Sequence, residues 1–303
     1  MFLLPVCYST FDGRTNRRAF LLFVAIIFTL CCNQLYFKQL QMKTFKRSVR
    51  FVIAVMIIFH AAGFAQQSQD WHLEKMPVDL EHDFSLSALP PRLRADATVY
   101  LLDPEKGYYV GHQGTNGYIC FVLRTSWEWA EFQDDLCVPI SFDAEGAKSI
   151  FPVDLAVAEM RASGKYRPEQ VRDSIKSGII AGVYKAPAKP GLSYMLSPVF
   201  RLYPGSTDKR QPVTVSMPHY MIYASYMNID NCSYKVGTDG MNMSTPDSDI
   251  MGDGKGPYNY IILPATDKEK AIILEDNKDL LARLVAYKAY FALSPGSGND
   301  HHH

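Results

Sequence analysis

The chain has 303 residues with 31 basic and 31 acidic side chains, and hydrophobic residues make up 48% of it, a balance that excludes a wholly disordered, collagen-like or charged-solenoid chain. The charge is unevenly placed: residues 1–65 hold 8 Lys and Arg against one acid, Asp12, which leaves 23 basic and 30 acidic residues from Gln66 onward, a net of −7. An acidic body lacks the basic face that nucleic-acid binding requires, and a chain of this length builds a core without help from a metal or cofactor, so none is expected.

In chain order the first signal is an address. Lys43, Lys46, Arg47 and Arg50 precede an apolar run over 51–58, and small residues follow at Ala61, Ala62, Gly63 and Ala65. Gly63 and Ala65 occupy the two small-residue positions of a signal-peptidase site, so residues 42–65 read as a signal peptide cleaved before Gln66. The apolar stretch is too short to span a bilayer comfortably, although an uncleaved anchor helix is the competing reading. A second apolar run over 19–32 lies upstream; residues 1–41 are read as an extension ahead of a true start at Met42, with a hairpin of two membrane segments as the alternative. The product is then periplasmic or extracellular, and membrane contact requires that the leader be retained.

Residues 66–89 are polar and read as a loose arm ended by Pro90 and Pro91, and residues 90–293 read as a single domain. The apolar, β-branched stretch 97–102, a turn at Asp103-Pro104-Glu105-Lys106-Gly107 and a resumption at 108–110 predict a hairpin. The Asn-Gly turn at Gly114-Thr115-Asn116-Gly117 leads into a third strand over 118–123. An acidic, aromatic excursion over 125–135 carries Trp127, Trp129 and Phe132. Two helices follow, one over 144–163 whose regular part opens near Pro152, and one starting at Pro168 with Val171, Ile175 and Ile179 on one face. Strands are expected over 192–200, 212–217, 220–226 and 258–263, a long loop over 228–256, a helical stretch over 268–291, and a polar, disordered tail over 294–303. Strands, then helices, then strands predict an α+β fold: an antiparallel sheet with the two central helices on one face, plus a C-terminal helix.

Three cysteines follow the leader: Cys120, Cys137 and Cys232. In an oxidising compartment Cys120 and Cys137 are spaced for a disulfide whose sixteen-residue loop would contribute about 3 kcal/mol; the alternative is buried thiols packing as small hydrophobes.

The phrases Ala88-Leu89-Pro90-Pro91-Arg92-Leu93-Arg94, Gly114-Thr115-Asn116-Gly117-Tyr118-Ile119-Cys120-Phe121-Val122, Tyr194-Met195-Leu196-Ser197, Pro218-His219-Tyr220-Met221 and Tyr260-Ile261-Ile262-Leu263-Pro264 together resemble a family of uncharacterised exported bacterial proteins over residues 89–264. The resemblance implies an exported single domain with a cysteine pair matching Cys120 and Cys137, and it brings no assigned activity. The 228–256 loop, Cys232 and the C-terminal helix depart from it.

Whether the chain is an enzyme stays open. His219, stiffened by Pro218 at a strand entrance, has the chemistry of a general base or metal ligand, or of a structural histidine at a sheet edge. Asn116 suits either an oxyanion contact or a positive-φ turn, and His112 would join His219 only if their strands are neighbours. Tyr118, Trp127 and Trp129 could form an aromatic platform for a ligand or cap the core.

Metal motifs are absent: no His pair has i, i+4 spacing, and Tyr258 stands where the acidic run from Asp247 to Asp253 would need a bidentate Glu. Ser206-Thr207-Asp208-Lys209, Tyr226-Met227-Asn228 and Lys235-Val236-Gly237 echo the motifs of penicillin-recognising enzymes, but within too short a span to hold a helical subdomain between them. The leading expectation is a non-catalytic exported module that binds a small molecule or envelope partner. The alternative is a small envelope hydrolase using His219 with Asn116 and a carboxylate such as Asp154.

Overall fold

The computed structural model describes residues 73–203, 211–227, 242–244 and 256–293. The chain divides into two units, Met1–Gln69 and Asp70–His303, and all described residues belong to the second. The residues read as a leader and its cleavage site, Cys232, most of the segment 228–256, the Asp247–Asp253 run, the Ser206–Lys209 motif and residues 294–303 lie outside the described residues.

Helices α1 (Val78–Leu86) and α2 (Pro91–Arg94) come first. Strands β1 (Thr98–Asp103) and β2 (Gly107–His112) form the expected antiparallel hairpin, and β3 (Ile119–Leu123) then lies parallel to β1 on its other side. That crossover forces two stretches of backbone together at Gly114. A Cβ there would sit 2.2 Å from the Asp96 carbonyl oxygen, a separation no side chain tolerates. Strand β4 (Val138–Phe142) pairs antiparallel with β3, from Ile119 opposite Phe142 to Leu123 opposite Val138, completing a four-stranded sheet in the order β2-β1-β3-β4.

Asp143 then caps α3 (Ala144–Ser149), accepting from the Glu145 and Gly146 amides at 3.1 and 2.9 Å, as a short acidic side chain does at a helix start. The chain breaks at Ile150 and resumes as α4 (Phe151–Ala162), with Pro152 in its first turn where a missing N–H costs nothing. Helix α5 (Pro168–Ile180) buries Val171 and Ile175, as their four-residue spacing predicts.

The second sheet has the order β5-β8-β10-β9 and is antiparallel throughout, from β5 (Leu192–Met195), β8 (His219–Tyr223), β9 (Asn242–Ser244) and β10 (Tyr260–Pro264). The short pair β6 (Phe200–Leu202) and β7 (Val213–Val215) hangs on the first sheet through a Cys137–Arg201 bridge. Buried hydroxyls join the two large sheets. Ser141 Oγ donates to the Tyr194 carbonyl at 3.0 Å and accepts from the Tyr194 amide at 3.1 Å, and Ser193 Oγ donates to the Ser141 carbonyl. These bonds satisfy backbone groups that two separate ladders would otherwise leave buried and unpaired.

The expected C-terminal stretch is two helices, α6 (Asp267–Asp276) and α7 (Lys278–Tyr287). They are broken at Asn277, whose side chain donates to the Ile273 carbonyl at 2.7 Å and accepts from Arg94 at 3.1 Å.

The α+β class holds, with three corrections. The antiparallel sheet is two large sheets, the first of them mixed. Helices cover both faces of that first sheet rather than one. The segment read as a loose arm contains α1, whose Leu80 and Phe84 are buried one helical turn apart. Strand β3 shows why both faces are covered. Alternate residues point to opposite sides of a strand, so Ile119, Phe121 and Leu123 enter the main core beside α4 and α5, while Val122 joins Phe84, Leu284 and Phe291 in a second core under α1 and α7.

Candidate functional site

The main core is not filled. Between the inner faces of the two sheets lies a cavity of about 310 Å³, within the size range of small-molecule sites. Strands β3 and β4 supply Phe121, Val138, Ile140 and Phe142 to one wall, and the second sheet supplies Met195, Met221 and Tyr260, with Tyr258 just before β10. Helix α4 contributes Val153 and Asp154, and the single 3₁₀ turn Trp127–Trp129 closes a further side with Trp127, Glu128 and Trp129.

A staple holds that turn in place. Arg161, on α4 and almost wholly buried, donates to the Arg124 carbonyl at 3.1 Å, the Thr125 hydroxyl at 2.9 Å and the Gln133 carbonyl at 2.9 Å. Its guanidinium carbon lies 4.7 Å from the Phe132 ring centroid. Burial pulls the Arg161 pKa down to about 10, and Asp134 partly offsets that effect. The Ser126 backbone N–H donates to Gln133 Oε1 at 3.2 Å, and Ala130 takes a left-handed conformation, φ 53°, to leave the turn. One cation therefore ties both ends of the aromatic excursion to the helix that carries Asp154.

Asp154 is the polar group that stands out. It is enclosed by protein yet keeps accessible surface, because the large cavity and a second void of about 10 Å³ both open onto it. The smaller void has room for about one water molecule. Among the described residues the Asp154 carboxyl makes no hydrogen bond and no ion pair within 4.0 Å. Burial pushes its pKa up to about 8, since a low-dielectric surrounding disfavours the charged form. Behind it, the rings of Phe121, Tyr108 and Phe151 pack with centroids 4.8 to 6.0 Å apart, and the Tyr108 hydroxyl donates to the Val122 carbonyl at 2.7 Å.

The residues expected from the sequence separate into two groups. Asp154, Trp127 and Trp129 meet at the cavity. His219 does not line it: its ring is buried beside Phe200 at 6.0 Å between centroids, and Nδ1 lies 2.7 Å from the Met217 carbonyl. Burial pulls its pKa down, which keeps the ring neutral and Nδ1 as the donor.

Asn116 is a turn residue, donating to the Leu93 carbonyl at 2.8 Å and accepting from the Tyr118 amide at 3.0 Å. His112 is exposed on the edge strand β2 and contacts His82 with ring centroids 6.1 Å apart, on a different sheet from His219. Tyr118 packs on Tyr194 at 5.8 Å, in a separate cluster under Leu89. The His219–Asn116–Asp154 set of the hydrolase reading is therefore not assembled.

The expected Cys120–Cys137 bridge is not formed, and both residues are free, buried thiols. The register gives the reason. Cys120 lies opposite Ser141 while Leu123 lies opposite Val138, which sets Cys137 level with Arg124, four residues along. At about 3.4 Å per residue that is ~13 Å, beyond the roughly 7 Å between Cα atoms that a disulfide spans. Burial pushes the Cys137 thiol up to about 11 and the Cys120 thiol higher still, so neither is a ready nucleophile.

Sequence reasoning passed over Tyr258, Tyr260, Met221 and Arg161. Tyr258 and Tyr260 carry a local signal, an i, i+2 aromatic pair entering a strand, which places both on one face. Arg161 carries none, since a buried arginine and an exposed one look alike in sequence. Comparison with known protein families, characterised proteins and solved structures finds no match to this chain, so the geometry alone carries the functional reading.

Proposed function

We propose that the chain is a non-catalytic, exported binding module whose ligand is a small, largely apolar molecule held in the cavity between the two sheets. The carrying observation is the cavity itself: about 310 Å³, walled by aromatic, aliphatic and thioether side chains, with the half-buried carboxyls of Asp154 and Glu128 at it. Close-packed interiors leave few voids larger than a water molecule, and a well-formed apolar pocket with few polar groups is the common form of a ligand site. Export rests on the leader read from residues 42–65, and the family resemblance is part of the same proposal.

The test uses N-phenyl-1-naphthylamine, a neutral probe whose emission rises in apolar surroundings. Wild-type protein is expected to bind it saturably and one-to-one. Ile140→Trp, which puts an indole into the cavity from β4, is expected to bind it at least about tenfold more weakly, the effect of losing ~1.4 kcal/mol of binding energy. Equal binding by the two proteins, or none by the wild type, contradicts the reading.

A further inference from the structure

We infer that the cavity recognises a cation: its ligand is an organic ammonium whose positive charge is set against Asp154 and the aromatic walls. The inference rests on the cavity being a ligand site, and it adds the ligand's chemical class. Three observations carry it. First, among the described residues, those lining the large cavity include two acids, Asp154 and Glu128, and no Lys, Arg or His. These residues offer an anion no opposite charge. Second, Trp127, Trp129, Tyr258 and Tyr260 supply the indole and phenol π-systems that attract ammonium groups most strongly. Third, the half-buried Asp154 carboxyl meets no hydrogen-bond partner from the described residues, and a polar group drawn out of bulk water in that state gains free energy when a partner arrives.

The nearby cations do not supply that partner. Arg161 and Arg124 line the smaller void beside Asp154 but form no ion pair with it. Arg161 Nη1 donates to the Arg124 and Gln133 carbonyls and the Thr125 hydroxyl, and its Nη2 lies 3.7 Å from Asp134. Arg124 carries its charge toward Cys137, Glu81 and Tyr290, on the second-core side of β3. The other titratable groups toward Asp154 are Tyr108 from β2, Glu128 from the 3₁₀ turn, and Tyr258 and Tyr260 at β10. Among the described residues none of these groups is positively charged.

The proton balance is explicit. In the free protein below about pH 8 Asp154 is a neutral acid. Binding an ammonium ion forms a carboxylate–ammonium pair and releases the carboxyl proton to solvent, with no covalent bond made or broken. Affinity for a cation therefore rises with pH until Asp154 ionises unaided, whereas affinity for an uncharged analogue does not.

The experiment compares three ligands on one skeleton by calorimetry at pH 6.5 and 8.5: phenethylamine (a cation at both), 2-phenylethanol and phenylacetate. At pH 8.5 phenethylamine is expected to bind at least about tenfold more tightly than the alcohol, with phenylacetate weakest. Between pH 8.5 and 6.5 the amine is expected to weaken by about tenfold or more while the alcohol holds. In Asp154→Asn, which keeps the side-chain size and places no buried charge, the amine's advantage and its pH dependence should vanish together.

Equal binding of amine and alcohol, preference for the acid, an amine advantage that survives Asp154→Asn, or no binding by any of the three overturns the inference. The neutral probe separates the two levels. If N-phenyl-1-naphthylamine binds wild type and not Ile140→Trp while the amine fails, the ligand class is wrong and the cavity reading stands. If the neutral probe fails as well, both fall.

Discussion

The two faces of the first sheet handle burial in opposite ways. On the side of α1 and α7, Phe84, Leu284 and Phe291 have no exposed surface, and Phe84 meets Phe291 edge-on at 5.6 Å. On the side of α4, Phe121 and Leu123 look instead onto a cavity of about 310 Å³. The same strand, β3, sits between them. Apolar area and close contact supply most folding free energy, so the filled side serves stability alone, while the hollow side, which also buries Phe142, Phe151 and Ile175, does so around an opening. The hollow side keeps an aromatic surface, and a carboxyl with no partner among the described residues, available to something else.

That contrast breaks most easily at Phe84. Phe84→Ala is expected to cost about 3–5 kcal/mol in chemical denaturation, the range for a large buried aromatic whose site cannot collapse. A cost below ~1 kcal/mol would mean that the α1 side is not the structural half. Next in size is Arg161→Met. It leaves the Arg124 and Gln133 carbonyls without their donor and should cost about 2–3 kcal/mol. Because Arg161 holds the Trp127–Trp129 turn, the same variant should shift tryptophan emission to longer wavelength and weaken binding of N-phenyl-1-naphthylamine. Destabilisation without either change would separate the staple from the cavity.

The pH dependence sharpens the comparison, because each face holds one carboxyl whose pKa is raised, Glu81 fully buried and Asp154 half-buried. Asp154 on the hollow side is pushed up to about 8 and Glu81 on the filled side to about 7, in both cases chiefly by burial. Their folded-state values lie above the unfolded ones near 4, so the folded protein holds protons that the unfolded chain has lost. Their contribution to stability is fully present below about pH 4 and is lost as pH rises through about 7 and 8, at up to ~1.4 kcal/mol per pH unit for each group. Urea denaturation from pH 5 to 9 should show this decline. Asp154→Asn should remove the part between pH 7 and 8, and Glu81→Gln should leave that part in place. An unchanged profile in Asp154→Asn would show that its carboxyl is already satisfied.

The smallest expected effect is that of a reductant. With Cys120 and Cys137 as separate thiols, dithiothreitol should leave the melting temperature unmoved, whereas breaking a bridge between them would cost about 3 kcal/mol. A drop of several degrees would contradict the register of β3 against β4.

Much of the local structure was legible because its signals are local. The 98–112 hairpin announces itself by its turn, and α5 by Pro168 and the Val171–Ile175 spacing. Helix α1 was hidden for the opposite reason: its two core residues, Leu80 and Phe84, sit in a polar segment, and only packing against β3 makes it a helix. The disulfide misled because loop length says nothing of register, and register is what holds Cys137 beside Arg124. For the site, Asp154, Trp127 and Trp129 could be named singly, but nothing in the sequence brings them together. Their meeting depends on the crossover that lays β3 along β1, on the serine contacts between the sheets and on Arg161, all of them contacts between distant parts of the chain.

The most direct test of the central claim is a crystal structure of the wild-type protein soaked with N-phenyl-1-naphthylamine. The account predicts the probe between the two sheets, against Trp127 and Tyr260, with β3 and β4 unmoved. A cavity closed by its own side chains, with the probe bound elsewhere on the surface, would contradict it.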